Sequence, residues 1–202
     1  MNVELDEAVI VSLRHATHLQ HRSLEELLQL AAPFSLGGYV EALKGFERFL
    51  SVWEPRIDAL LPAKLREWFA GRSRSDLLRQ DIRVLDVELR ISAWAEEACV
   101  RAARGIELDS LAAVFGSMYV LEGSALGGQL IARQVRETLD FGPGSGAAYF
   151  NGFGRQTPAR WSDFRARLAA EVGVEPQPRG EACRAATQTF DALIGTFKAL
   201  RS

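Results

Sequence analysis

All three histidines of the chain fall within one short stretch, at His15, His18 and His21, and four glycines, Gly116, Gly123, Gly127 and Gly128, interrupt another. Imidazole is a metal ligand and a proton carrier near neutral pH. A helix without side chains on one stripe lets a ligand approach main-chain carbonyls and amides to van der Waals distance. Together the two features suit a flat body held between a ligating residue and bare backbone.

The glycines lie in a segment, about Leu108 to Leu139, that otherwise reads as one long helix, with Val114, Phe115, Met118, Leu121, Leu130 and Ile131 at helical spacing. At about 1 kcal/mol each relative to alanine they cost on the order of 4 kcal/mol of helix propensity. At 100° per residue Gly116, Val120, Gly123 and Gly127 share a stripe, with Ser117, Ser124 and Gly128 on the next. The stripe is about 18 Å long, from about 1.5 Å of rise per residue. On these residues alone, a close helix crossing explains the pattern as well as a ligand does.

The histidines sit on an amphipathic helix expected over Leu5 to Leu30, with an apolar stripe of Val9/Ile10, Leu13, Thr17, His21, Leu24 and Leu28. Only His21 is on that stripe, which points it inward. His18 and Arg14 share its flank, placed to meet an anion at the edge of a pocket. Glu25, one turn on, reaches the ring nitrogen that ligation leaves free and fixes the tautomer. The alternative for His21 is a hydrogen-bonded core residue, and for Glu25 an exposed helix charge. Three-residue spacing spreads the histidines over about 120°, too wide for one zinc site.

Two longer motifs contain these residues. Leu13-Arg14-His15-Ala16-Thr17-His18-Leu19-Gln20-His21, followed by Glu25, resembles the proximal helix of heme oxygenases. Tyr119-Val120-Leu121-Glu122-Gly123-Ser124-Ala125-Leu126-Gly127-Gly128-Gln129 resembles their distal helix. The likeness is nearest the bacterial branch often encoded beside bacteriophytochromes, and extends more loosely from about Leu5 to the last helix.

The resemblance implies an all-α fold, one heme oxygenase-like domain over residues 1–202, with heme b as both cofactor and substrate. It makes His21 the iron ligand, with Glu25 behind it, Arg14 and His18 on the propionates and Tyr119 among the heme contacts. Gly123, Ser124, Gly127 and Gly128 form the distal catalytic face. The implied reaction cleaves heme with O2 and external electrons to biliverdin, Fe2+ and CO. With no Gly-rich nucleotide fingerprint and no cysteine cluster, the electrons come from a ferredoxin or flavoprotein reductase. A bacteriophytochrome is the implied biliverdin acceptor.

Ser124 departs from the family, many members of which place an aspartate there to order the distal water. A hydroxyl positions water too, but as a weaker, uncharged acceptor. The distal side is then expected to offer only glycine backbone, Ser124 and the water they hold. Two other readings keep the fold: a heme carrier without turnover, and a non-heme enzyme of the thiamin-degrading type that needs Cys99 or Cys183.

Composition narrows the classes. The chain has 202 residues, 48% apolar and 25% charged, as in a soluble globular protein. A net charge of −2 speaks against a nucleic-acid or anionic-membrane surface. The acidic start is no secretory signal, and the apolar run Leu111 to Leu121 is too short to span a bilayer, so a cytoplasmic protein with free thiols is expected.

Helices are further expected over Tyr39 to Leu60, kinked or ended by Pro55, then Ala63 to Phe69, Leu77 to Ile91 and Trp94 to Arg104. Asp140 to Thr157 is the irregular region. Heme oxygenases carry aromatic and basic side chains near this point, which makes Tyr149 and Arg155 candidates for the heme edge. Thr157 and Pro158 read as an N-cap and N1 pair, Gly173 to Gly180 as a turn, and Cys183 to Leu200 as the last helix with Ala186, Phe190, Leu193 and Phe197 inward.

Overall fold

The computed structural model describes residues 2–29, 33 and 35–201. They form nine α-helices: α1 Asn2–Leu27, α2 Leu36–Leu60, α3 Ala63–Ala70, α4 Ser75–Val84, α5 Ala93–Arg104, α6 Leu111–Leu139, α7 Ala148–Asn151, α8 Thr157–Val172 and α9 Pro176–Leu200. No strand occurs among the described residues, so the chain is all-α as expected.

Helix boundaries follow local chemistry, and several differ from expectation. Leu30, the expected end of the first helix, lies outside the described residues; α1 stops at Leu27. Ser35 caps α2 by accepting from the Gly38 N–H at 3.1 Å. Pro55 does not end α2, which runs on to Leu60. Pro55 and Ser51, the residue whose carbonyl loses its donor, are both exposed, so the unpaired carbonyl lies within reach of solvent.

Helix α4 ends at Val84, not Ile91. Asp86 takes a left-handed conformation (φ 50°) and Val87 N–H bonds back to Ile82 O at 2.9 Å, a Schellman-type stop built on aspartate where glycine is the usual signal. The expected turn over Gly173 to Gly180 is largely helix, because α9 starts at Pro176. Prolines in a first turn remove N–H groups that have no helical partner anyway. Helix α8 is capped at Gln156, so Thr157 is not the N-cap.

Helix α9 is the central column. It packs against α6, α1, α5 and α2, and its Ala186, Phe190, Leu193 and Phe197 are buried as expected. Helix α6 approaches it most closely at Gly116, where a Cβ would stand 2.1 Å from Ala182 O. That glycine therefore serves the helix crossing and belongs to no ligand surface. Helix α6 is long and apolar enough to cross a membrane, but 56% of its most apolar window is buried in the fold. Its apolarity is spent on α9 and α8.

Gly116→Ala is expected to cost about 3 kcal/mol, because the obstacle is main chain and cannot rotate away. Urea unfolding measures it, and an unchanged midpoint would contradict the crossing.

Although α1 and α6 both pack on α9, they make little contact with each other. The gap between them is the feature the rest of the fold frames.

Candidate functional site

The gap is a cleft of about 680 Å³, within the range of sites for small organic ligands. Its α1 wall carries Arg14, His18, His21 and Glu25, and its α6 wall carries Tyr119, Gly123, Ser124, Gly127 and Gly128. Phe190 and Leu193 of α9 form the floor, while Phe46, Tyr149 and Phe150 close the back. The sequence motifs, roughly a hundred residues apart, thus face one space.

His21 is not a core residue: its side chain is 57% exposed. Its Nδ1 stands 3.4 Å from Glu25 Oε2, one helical turn on, and its edge meets the Phe190 ring at 5.7 Å between centroids. His18 Nδ1 donates to His15 O at 2.9 Å, which leaves Nε2 outward. At the α1–α6 end, the Tyr119 phenol lies beside Arg14 and Thr17. Burial raises its pKa more than the Arg14 charge lowers it.

The glycines of α6 divide by task. A Cβ at Gly127 would meet nothing within 4 Å, and one at Gly123 would only touch the Trp161 ring at 3.8 Å. These two leave bare backbone toward the cleft. Gly128 admits the Phe150 carbonyl, which a Cβ would meet at 3.0 Å.

Helix α7 is held there by Asp81, fully buried, whose two carboxylate oxygens accept from Ala148 N–H and Tyr149 N–H at 2.8 Å each. It aims Tyr149 into the back of the cleft. Tyr149 Oη is buried without a hydrogen-bond partner among the described residues. Burial pushes this phenol up to about 12, so it stays a proton donor at neutral pH.

Between pH about 10 and about 12 the unfolded chain releases this proton and the folded chain keeps it, so stability falls as pH rises through that window. Tyr149→Phe is expected to flatten part of that fall, measured as urea midpoint against pH. An identical slope would contradict the burial.

A model of the heme oxygenase family matches residues 7–199, nearly the whole chain. The chain belongs to the heme oxygenase family. It is similar to a heme oxygenase from Xanthomonas campestris pv. campestris (strain 8004), 32% identical over 131 residues, 64% of this chain and 71% of that one.

Solved heme oxygenases share the fold at low identity. Heme oxygenase 2 from Chlamydomonas reinhardtii, without heme, superposes with a TM-score of 0.75 at 18% identity over 97% of each chain. The Leptospira interrogans enzyme gives 0.74 at 18%, covering 94% of this chain and 98% of that one. Heme oxygenase-1 from Synechocystis sp. PCC6803, in complex with heme, gives 0.71 at 16%, covering 94% and 90%.

Two features of this heme oxygenase depart from expectation. Arg155 lines a neighbouring groove with Arg133 and Arg136, away from the cleft, because the turn at Gly154 carries it past the rim. The distal side is also not limited to glycine and Ser124. Arg74, 7% exposed and 50 residues before Ser124, lines the cleft. Its Nη2 donates to Leu121 O at 2.7 Å and to Ser124 Oγ at 3.1 Å, and its guanidinium lies 5.0 Å from the Tyr149 ring centre.

Ser124 in turn donates its only proton to Leu121 O at 2.8 Å. Neither cysteine is an activated thiolate. Cys99 is buried and Cys183 half-buried, and burial pushes both thiols up.

Proposed function

We propose that heme b lies in the cleft between α1 and α6 as both cofactor and substrate, with His21 as the iron ligand. The observation that carries this reading is the cleft itself, in which a half-exposed imidazole faces the open backbone of Gly123 and Gly127. The lining fits such a group: an apolar floor and back, one imidazole, a wall where added side chains would intrude, and cations at the rim.

When bound, the heme supplies the iron that takes O2 and the ring that is opened to biliverdin, Fe2+ and CO. Glu25 orients the His21 ring through Nδ1 and leaves Nε2 for ligation. Arg14 and His18 hold the propionates from the α1 side, Arg14 as a permanent charge. Gly123 and Gly127 admit the flat ligand and present main-chain groups, Gly128 makes room for the Phe150 carbonyl behind them, and Phe46, Phe150 and Phe190 exclude water. Selection of the attacked edge follows from this shape, not from a reactive side chain.

Electrons come from a ferredoxin or flavoprotein reductase, which suits a cytoplasmic enzyme with free thiols. The nearness of both motifs to the bacteriophytochrome-associated branch supports such a protein as the biliverdin acceptor. Hemin added to the protein with a reductase, NADPH and O2 is expected to lose its Soret band as biliverdin absorption grows. A stable Soret band would instead support a carrier.

A further inference from the structure

Three stacked rings lead away from the cleft toward α3. Trp161 of α8 lines the cleft, and its ring edge is what a Cβ at Gly123 would touch, at 3.8 Å. Phe164, fully buried, stacks on Trp161 with centroids 5.8 Å apart and planes 20° apart. Trp68 of α3 stacks in turn on Phe164, at 6.4 Å and 7°. Tyr119, also on the cleft wall, meets Trp161 at 6.0 Å.

Stacked rings alone are ordinary core packing. That accounts for Phe164 but not for the surroundings of Trp68. Trp68 is half-buried, and its indole N–H donates to Asp163 Oδ2 at 2.6 Å. The Arg72 and Arg167 guanidiniums stand 4.4 and 4.8 Å from its ring centre.

Tryptophan and tyrosine rings give up a single electron far more readily than phenylalanine, so Trp161 and Trp68 are the oxidisable stations and Phe164 the bridge. Beside two cations a positive charge on the Trp68 ring is unfavourable, so an electron leaves it only as the indole proton leaves too. Asp163 is placed to take that proton. Burial pushes its carboxyl up, but hydrogen bonds from Trp68 and Arg72 and the Arg167 charge outweigh burial and hold it below the usual range, so it is ionised. Its side chain is 47% exposed, which opens it to solvent.

Turnover with O2 and external electrons forms hydrogen peroxide whenever two electrons and two protons reach O2 without opening the ring. We propose that Trp161, Phe164 and Trp68 form a relay that carries oxidising equivalents out of the cleft, with Asp163 as the proton acceptor at its end. Peroxide reduced to two waters in the cleft takes two protons from solvent and two electrons, one from the hemin and one through the relay. Trp68 loses that electron by way of Phe164 and Trp161, and its Nε1 proton passes to Asp163. An external one-electron reductant then restores Trp68, with the proton returned from Asp163. The relay spares the cleft lining, Tyr119 and Tyr149 above all, from oxidation. It rests on the heme reading above.

The hemin complex treated with equimolar peroxide and a nitroso spin trap, without reductant, tests the route, with the trapped radical located by mass spectrometry. Wild-type protein is expected to carry the trap on Trp68, and heme-free protein to carry none. Trp161→Phe is expected to lose the label on Trp68, which that variant leaves in place. Trp68→Phe is expected to shift the label to the cleft tyrosines, and Trp68→Tyr, which restores an oxidisable ring, to label position 68 again. Packing alone would not distinguish these two replacements. A label on Trp68 that survives Trp161→Phe, or forms without hemin, overturns the relay. Hemin bound with Trp68 unlabelled removes the relay alone, whereas wild-type protein that gives no Soret band with hemin removes the heme reading and the relay with it.

Discussion

His21→Ala is expected to abolish the histidine-ligated Soret band and EPR signal of the hemin complex while leaving the fold intact. The side chain is 57% exposed and touches only Glu25 and the Phe190 ring in the contacts described above, so its loss opens no cavity. Alanine is also the better helix former, which holds the stability change within about 0.5 kcal/mol. A metal ligand lost with the fold unmoved separates a binding role from a packing one. Glu25→Ala tests the supporting contact and is expected to weaken hemin binding by about 10–100-fold, the usual effect of removing the partner of a ligating histidine. Spectra unchanged in His21→Ala would move the ligand elsewhere, with His18 the next imidazole on the same wall.

Gly127→Leu is expected to give the opposite pairing, a more stable protein with a blocked cleft. A Cβ at Gly127 meets nothing within 4 Å, so the new side chain enters open space. Replacing helical glycine with a good helix former raises stability by about 0.5–1 kcal/mol. The same side chain enters the space proposed for the ligand, and turnover is expected to fall at least a hundredfold. Retained turnover in a correctly folded variant would show that the substrate does not use this face. Gly128→Leu does not make this test cleanly, because the Phe150 carbonyl stands 3.0 Å from where the Cβ would be.

How much of this was legible in the sequence depends on the range of the contacts. His21 with Glu25, and the spacing of Gly123 and Gly127, are patterns within one helix, and period alone places them on a face. What lay beyond reach came from packing between distant segments. Gly116 and Gly127 look alike in sequence, yet one abuts the α9 main chain and the other nothing, since only the path of α9 distinguishes them.

Arg74 sits in an ordinary polar connection, Gly71-Arg72-Ser73-Arg74-Ser75, and gains its role only because α4 starts beside Leu121 and Ser124. Thr157 read as a cap by residue type, and Gln156 took the position. The family resemblance makes Arg155 a candidate for the cleft, but position along the chain does not show that the turn at Gly154 carries it into the neighbouring groove.

The central claim is that one ligand lies between His21 and the glycine backbone of α6. A crystal structure of the hemin complex tests it most directly. It is expected to show iron bound to His21 Nε2 with the opposite ring face against Gly123 and Gly127. Hemin ligated by another residue, or lying outside the α1–α6 cleft, would contradict the account.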